Sequence, residues 1–318
     1  LLLLLGAVLS PDPVLAAGPQ VAELTAEQIG HDLAAHRYTA EALTQAFLDR
    51  IARYEPQYNA MTSMNPHALE DARRIDARLR AGENPGPLAG VPVVVKEIVD
   101  VEGLATTFGW KPLSRADGGI QQLSPADAPV VQRLRDAGAI ILGKTNVPPF
   151  SADNTRTTTS WAGVTYNAVD RRLAPGGSSS GTATAVAAGF AVMGIAEETG
   201  GSIQNPAAAQ SLVGIKPSFA LVPNTGVVPL AGSTRDVIGV DRRFDRDRPV
   251  RLQNAALHFH GHFRRGVANV DLAASDVVLA PVQSSGFGEA RNGMFGGRVG
   301  RGVGPRRVRG DRPIVDDA

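Results

Sequence analysis

The chain has 318 residues, 43% of them apolar and 20% charged, with a formal net charge of +1. That length can bury a large core, and the near-neutral balance gives no reason to expect a polyanionic partner for the molecule as a whole. Cysteine is absent, which excludes thiol catalysis, disulfides and thiolate metal centres.

The elements follow in chain order. Leu1 to Leu9 is an apolar stretch far shorter than the ~20 residues a bilayer span needs. Followed by Ala16 and Ala17, residues 1–17 read as the remnant of a cleaved export signal, placing the mature chain in the periplasm or outside the cell, with the cytoplasm as the alternative. Thr25 and Gln28 have the spacing of a capping box, and Thr39 offers a second cap before the apolar stripe Leu43, Phe47 and Ile51, so a helical pair is expected through Tyr54. Asn65-Pro66 opens a further helix that Gly82 stops. Val91 to Val95 reads as a buried strand; Asp127 is expected to cap a helix from Pro129 to Ala137, and Ala139 to Leu142 as the next strand. A small-residue helix from Thr182 to Ala188 and a strand from Phe190 to Ile195 complete the alternation over residues 90–216. That pattern predicts an α/β fold with helices on the faces of a sheet.

The chemistry gathers at the ends of these elements. APGGSSSGTATAVAAG begins at Ala174, and EETGGSIQNPAA begins at Glu197. Glycines beside a serine let a substrate carbonyl approach main-chain N–H groups closely, which a serine nucleophile and its oxyanion hole both require. Ser202, after Thr199, Gly200 and Gly201, is therefore a nucleophile candidate, although a Gly-Gly turn with a serine cap explains the same residues. Lys96 ends an apolar strand, where desolvation favours the neutral, basic form of a lysine. Its bland alternative is an exposed side chain paired with Glu97 or Asp100. Ser179 is a rival nucleophile, since Gly177 to Gly181 fits G-x-S-x-G, but the histidine that motif needs occurs downstream only at His258, His260 and His262. Those three histidines have no acidic companion, and no metal site is expected. The loop from Gly176 to Gly181 lacks the lysine of a phosphate loop, so nucleotide binding is not expected either.

Taken together and in order, VPVVVKEIVDVEG, ILGKTNVPPF, PGGSSSGTATAVAAG, EETGGSIQNPAA and GIKPS resemble the amidase signature family of serine hydrolases, over about Glu23 to Gly239. The resemblance implies an α/β/α sandwich around a mixed sheet. It implies Ser202 as acyl-enzyme nucleophile, Ser178 as bridging serine after a cis Gly177–Ser178 peptide, and Lys96 as general base. Thr199, Gly200 and Gly201 would form the oxyanion hole. The expected reaction converts a small carboxylic amide to acid and ammonia or amine, without cofactor or metal and without a nucleic-acid partner. Esterase or acyltransferase activity on the same triad is the alternative, as is a non-catalytic remnant with a basic tail; against an amidotransferase subunit of the family an export signal would argue. Many members carry Asp and Arg where this chain has Glu198 and Gln204.

Beyond Gly239 the sequence changes character. Residues 240–318 contain fourteen Arg against nine Asp or Glu, a balance of +5, and no Lys. Periodicity is lost there, and a packed domain is hard to build from such a segment. Out-of-frame translation of a GC-rich gene accounts for it better than a flexible basic tail or a nucleic-acid-binding segment. The expected organisation is residues 1–17 as signal remnant, 18–239 as the N-terminal part of the domain, and 240–318 as an Arg- and Gly-rich tail foreign to the family. Such a chain is expected to turn over its substrate weakly or not at all.

Overall fold

A computed structural model describes residues 19–115, 118–153 and 159–243. The export-signal residues, the three histidines and the tail from residue 244 lie outside them. Two capped helices come first. In α1 (Ala26–Ala34) Thr25 and Gln28 make the reciprocal capping box. In α2 (Ala40–Tyr58) the Thr39 side chain accepts the Ala42 N–H, and Leu43, Phe47 and Ile51 are buried as one stripe. Asn59 then turns the chain at φ 51° into β1 (Met61–Met64), a short strand that the sequence pattern does not announce.

Helix α3 (Ala68–Arg80) precedes β2 (Pro92–Lys96), every residue of which is buried. Helix α4 (Pro129–Asp136) leads into β3 (Ile140–Thr145). Asp127 does not cap α4, whose N-cap residue is Ala128. The Asp127 carboxylate instead accepts the Glu102 N–H at 2.8 Å and Arg135 Nε at 2.7 Å, and Pro129 at the first helical position has no N–H to satisfy there. Helix α5 (Ser180–Ala187) precedes β4 (Met193–Glu198), α6 (Gln204–Ala209), β5 (Leu212–Ile215) and β6 (Val237–Arg243). β4 starts three residues later than the apolar run suggests and extends into two buried glutamates. β6 runs through Arg243, so the break drawn at Gly239 falls inside a strand of the sheet.

The sheet has the order β1-β3-β2-β4-β6-β5. β2 lies between β3 and β4 in parallel, while β1 and β6 pair with their neighbours antiparallel, making the sheet mixed as expected. Helix α5 packs on β2, β3, β4 and β6. Its Ser-Gly-Thr-Ala-Thr-Ala-Val-Ala sequence allows that close approach: a Cβ on Gly194 of β4 would stand 2.4 Å from Thr182 Cγ2. A hydroxyl pair, Thr145 and Thr182 at 2.7 Å, ties β3 to the same helix. The carboxyl ends of the parallel strands β2 and β4 therefore emerge side by side beneath the start of α5, where ligand sites of α/β sheets form.

Candidate active site

Lys96 is the last residue of β2 and is fully buried. Strand pairing sets Val95 beside Ile195 of β4, which brings Glu197 to the lysine. Lys96 Nζ donates to Ser178 Oγ, to the Glu197 carbonyl oxygen and to Glu197 Oε2, each at 2.9 Å. Its acidic partner is thus Glu197, and since the side chain is buried the alternative of an exposed lysine paired with Glu97 or Asp100 does not hold. Glu97 turns away and receives the Thr107 hydroxyl at 2.7 Å, while Asp100 receives the hydroxyls of Thr106 and Ser124 at 2.8 and 2.7 Å.

Ser178 and Ser179 lie in the tight approach to α5, and the Gly177–Ser178 peptide is cis. Both serines are fully buried. Ser179 Oγ donates to the Glu197 carbonyl oxygen at 3.2 Å, and the Ser179 N–H donates to the Ser202 carbonyl at 3.3 Å. Those bonds join the two serine loops. Ser202 sits just past the end of β4, 5% exposed, in the turn that Thr199, Gly200 and Gly201 make before α6. Gly201 has φ +102°, and a Cβ there would come within 2.8 Å of Asn205 Nδ2, so only glycine fits the turn without strain.

Three acidic residues near this turn take parts that the sequence does not announce. Glu198 Oε2 accepts the N–H groups of Ile203 and Gln204 at 2.9 and 3.1 Å, anchoring the chain just past Ser202. Asp236 receives the Thr199 hydroxyl at 2.6 Å and the Leu230 and Ala231 N–H groups at 2.8 and 2.9 Å. Asp241 of β6 is fully buried with no hydrogen-bond partner at either carboxyl oxygen. Burial pushes its carboxyl well above the usual carboxylate range, with Lys96 acting against that rise and Glu198 with it. Acidic residues look like ordinary solvated charge in a sequence, and nothing local marks these three as buried. Among the described residues no group of three His, Cys, Asp or Glu side chains is arranged to hold a metal ion, and no helix is long and apolar enough to cross a membrane.

Lys96, Ser178 and the Ser202 turn thus converge from three segments whose order matches that of the family motifs, and the family model "Amidase" matches residues 42–243. The chain belongs to the amidase signature family. Two bacterial relatives, each the A subunit of a glutamyl-tRNA(Gln) amidotransferase, are 41% identical to it. That of Acidothermus cellulolyticus aligns over 280 residues, 87% of this chain and 51% of its own length. That of Cutibacterium acnes aligns over 211 residues, 66% of this chain and 41% of its own. Among solved structures, the native peptide amidase of Stenotrophomonas maltophilia superposes with a TM-score of 0.66 at 33% identity, covering 81% of this chain and 50% of that one. A bacterial aryl acylamidase superposes with a TM-score of 0.64 at 25% identity, covering 75% of this chain and 47% of that one. The chain spans about half the length of the amidase-family relatives it matches.

Proposed function

We infer that this chain carries the amide-hydrolysing centre of an amidase, with Ser202 as nucleophile, Ser178 as proton bridge and Lys96 as general base. The buried 2.9 Å contact between Lys96 Nζ and Ser178 Oγ carries this reading, because it gives the lysine a hydroxyl through which a proton can pass. Ser202 Oγ attacks the amide carbon and forms the C–O bond, its proton moves to Ser178 Oγ, and the Ser178 proton moves to Lys96. The oxyanion is received by N–H groups of the turn from Thr199 to Ser202. Collapse breaks the C–N bond as the same relay returns the proton to the departing nitrogen, and water then releases the acid.

The test is covalent labelling of the full chain by a fluorophosphonate probe, which needs only one nucleophilic event. Ser202→Ala is expected to abolish labelling and Ser179→Ala to leave most of it. The reverse pattern would move the nucleophile to Ser179. A second reading, ammonia release from glutamine within an amidotransferase assembly, is favoured by the 41% identity to the amidotransferase relatives. Ammonia from glutamine but not from a C-terminal peptide amide would select it. Export of the mature chain belongs to the first reading, and N-terminal sequencing of the mature protein, with cleavage near Ala17, tests it.

A further inference from the structure

A lysine that serves as a base must be able to give up its proton, yet Lys96 lies 2.9 Å from a carboxyl oxygen of Glu197, with both side chains buried. As an ion pair in that setting the carboxylate would hold the lysine as an ammonium. The hydrogen bonds beyond Glu197 resolve the conflict. Thr199 Oγ1 stands 3.1 Å from Glu197 Oε1 and 2.6 Å from Asp236 Oδ1. A hydroxyl has one hydrogen to donate and an ionised carboxylate has none. Two linear hydrogen bonds between one hydroxyl oxygen and two carboxyl groups are satisfied together only when one of the acids carries a proton.

The surroundings of the two acids decide which one. Asp236 Oδ1 also accepts the Ala231 N–H, and Oδ2 accepts the N–H groups of Leu230 and Ala231, donors that favour an ionised carboxylate. The 2.6 Å separation is that of a hydroxyl donating to a carboxylate. Thr199 accordingly gives its hydrogen to Asp236, and its lone pair faces Glu197 Oε1. We propose that Glu197 is a neutral carboxylic acid that donates to Thr199 through Oε1 and accepts from Lys96 through Oε2, a positioning residue that orients the lysine without pairing with it as an anion. The proposal rests on the reading of Lys96 as general base.

With Glu197 neutral, Lys96 has a consistent set of partners in both of its states. The ammonium donates to Ser178 Oγ, the Glu197 carbonyl and Oε2. The amine keeps the latter two bonds and accepts from the Ser178 hydroxyl. Only the Ser178 bond reverses direction when the proton moves, and no counter-charge in direct contact with Lys96 opposes the change.

Infrared difference spectroscopy on the full chain tests this. Glu197→Gln reproduces the hydrogen bonds of the neutral acid, its amide donating to Thr199 and its carbonyl accepting from Lys96. The spectrum of the wild-type chain minus that of E197Q is expected to show one protonated-carboxyl C=O band, sensitive to deuterium exchange, that the variant has lost. Asp241, present in both proteins, cancels. Loss of carboxylate bands alone would overturn the proposal. Thr199→Val supplies the second reading should E197Q fail to fold: removing the acceptor is expected to raise the frequency of the same band, and a carboxyl region unchanged by T199V would overturn the assignment. Probe labelling of Ser202 is scored separately. Labelling without the band defeats the Glu197 assignment alone, and the band without labelling defeats the hydrolase reading alone.

Discussion

Two fully buried lysines stand on adjacent strands of the same sheet, Lys96 on β2 and Lys144 on β3, and they do different things. Lys96 pairs in register with Thr145, whose hydroxyl meets Thr182 of α5; Lys144, one residue earlier on β3, faces the other way. Its Nζ donates to the Ala105 carbonyl at 2.8 Å and to Thr106 Oγ1 at 2.7 Å, fastening the loop after β2. Burial pushes Lys144 down to about 8, against the pull of Glu97 and Asp100. A perturbed lysine in an α/β sheet would ordinarily be the functional candidate. Lys144 is nonetheless a strut by its contacts, and Lys96, the proposed base, is identified by the Ser178 hydroxyl that it touches. Burial makes a lysine easier to deprotonate, but only a hydroxyl leading to the nucleophile makes that useful.

The largest effect that can break this comparison comes from exchanging the lysines' fates. Lys96→Ala is expected to slow probe labelling of Ser202 by several orders of magnitude, and Lys96→Arg is expected not to restore it, because a guanidinium stays protonated and cannot accept a proton. Lys144→Met is expected to label at nearly the wild-type rate. Labelling that survives in Lys96→Arg and is lost in Lys144→Met would reverse the assignment of the two lysines.

Lys144 has its own signature, in stability against pH. Its folded value, about 8, lies below the ordinary lysine value of ~10.4. Between those limits the unfolded chain binds more protons than the folded one, so stability rises with pH, by about 3 kcal/mol over the interval. Below about 8 the cost of the buried charge is present in full. Denaturant midpoints measured across this range should climb in the wild-type chain and stay flatter in Lys144→Met. Parallel curves would mean that Lys144 is not desolvated.

The comparison also shows what a sequence can and cannot disclose. Lys96, Ser178 and Ser202 are legible as candidates because each sits in a local pattern, a strand end or a glycine-serine loop, and the structure brings Lys96 and Ser178 to 2.9 Å; their roles are those proposed above. The helical pair was legible through its caps, and β2 through its unbroken valines. Lys144 lies in the equally visible Gly-Lys-Thr run, but its role depends on a loop far earlier in the chain, at Ala105 and Thr106. The pairing of Lys96 with Glu197 arises only when β2 and β4 lie side by side, and the link from Thr199 to Asp236 only when the end of β4 meets the turn before β6. Strand β1 was missed because Met61 to Met64 has neither alternation nor a sustained apolar run.

Asp241 sharpens the contrast on the Lys96 face. It pairs with Gly194 of β4 and Gly214 of β5, next to the close contact with α5, and no hydrogen bond offsets its burial. Asp241→Val is expected to stabilise the fold by about 1–3 kcal/mol. The sign with pH follows from its raised folded value. Well below the ordinary aspartate value of ~3.9 both states are protonated and only the pH-independent cost of the unpaired carboxyl remains; as pH rises through that value the unfolded chain loses its proton first, and wild-type stability falls. The advantage of Asp241→Val should therefore grow with pH. An advantage that is constant with pH would show that Asp241 is ionised or hydrated in the folded chain.

The smallest expected effect is a control on the whole comparison, placed where neither lysine reaches. Thr39 caps α2 by accepting the Ala42 N–H at 3.0 Å, while the preceding donors, Ala40 N–H and Glu41 N–H, are already taken by Asp76 of α3 at 2.7 and 3.0 Å. Thr39→Ala leaves one helical N–H without its side-chain acceptor, at a cost of about 0.5–1 kcal/mol. Because α2 contributes no group to the proposed relay, labelling of Ser202 in Thr39→Ala is expected to proceed at the wild-type rate despite the lower denaturant midpoint. A labelling rate that fell with the midpoint would mean that the site responds to global stability, and survival of labelling in Lys144→Met would then no longer separate a strut from a base.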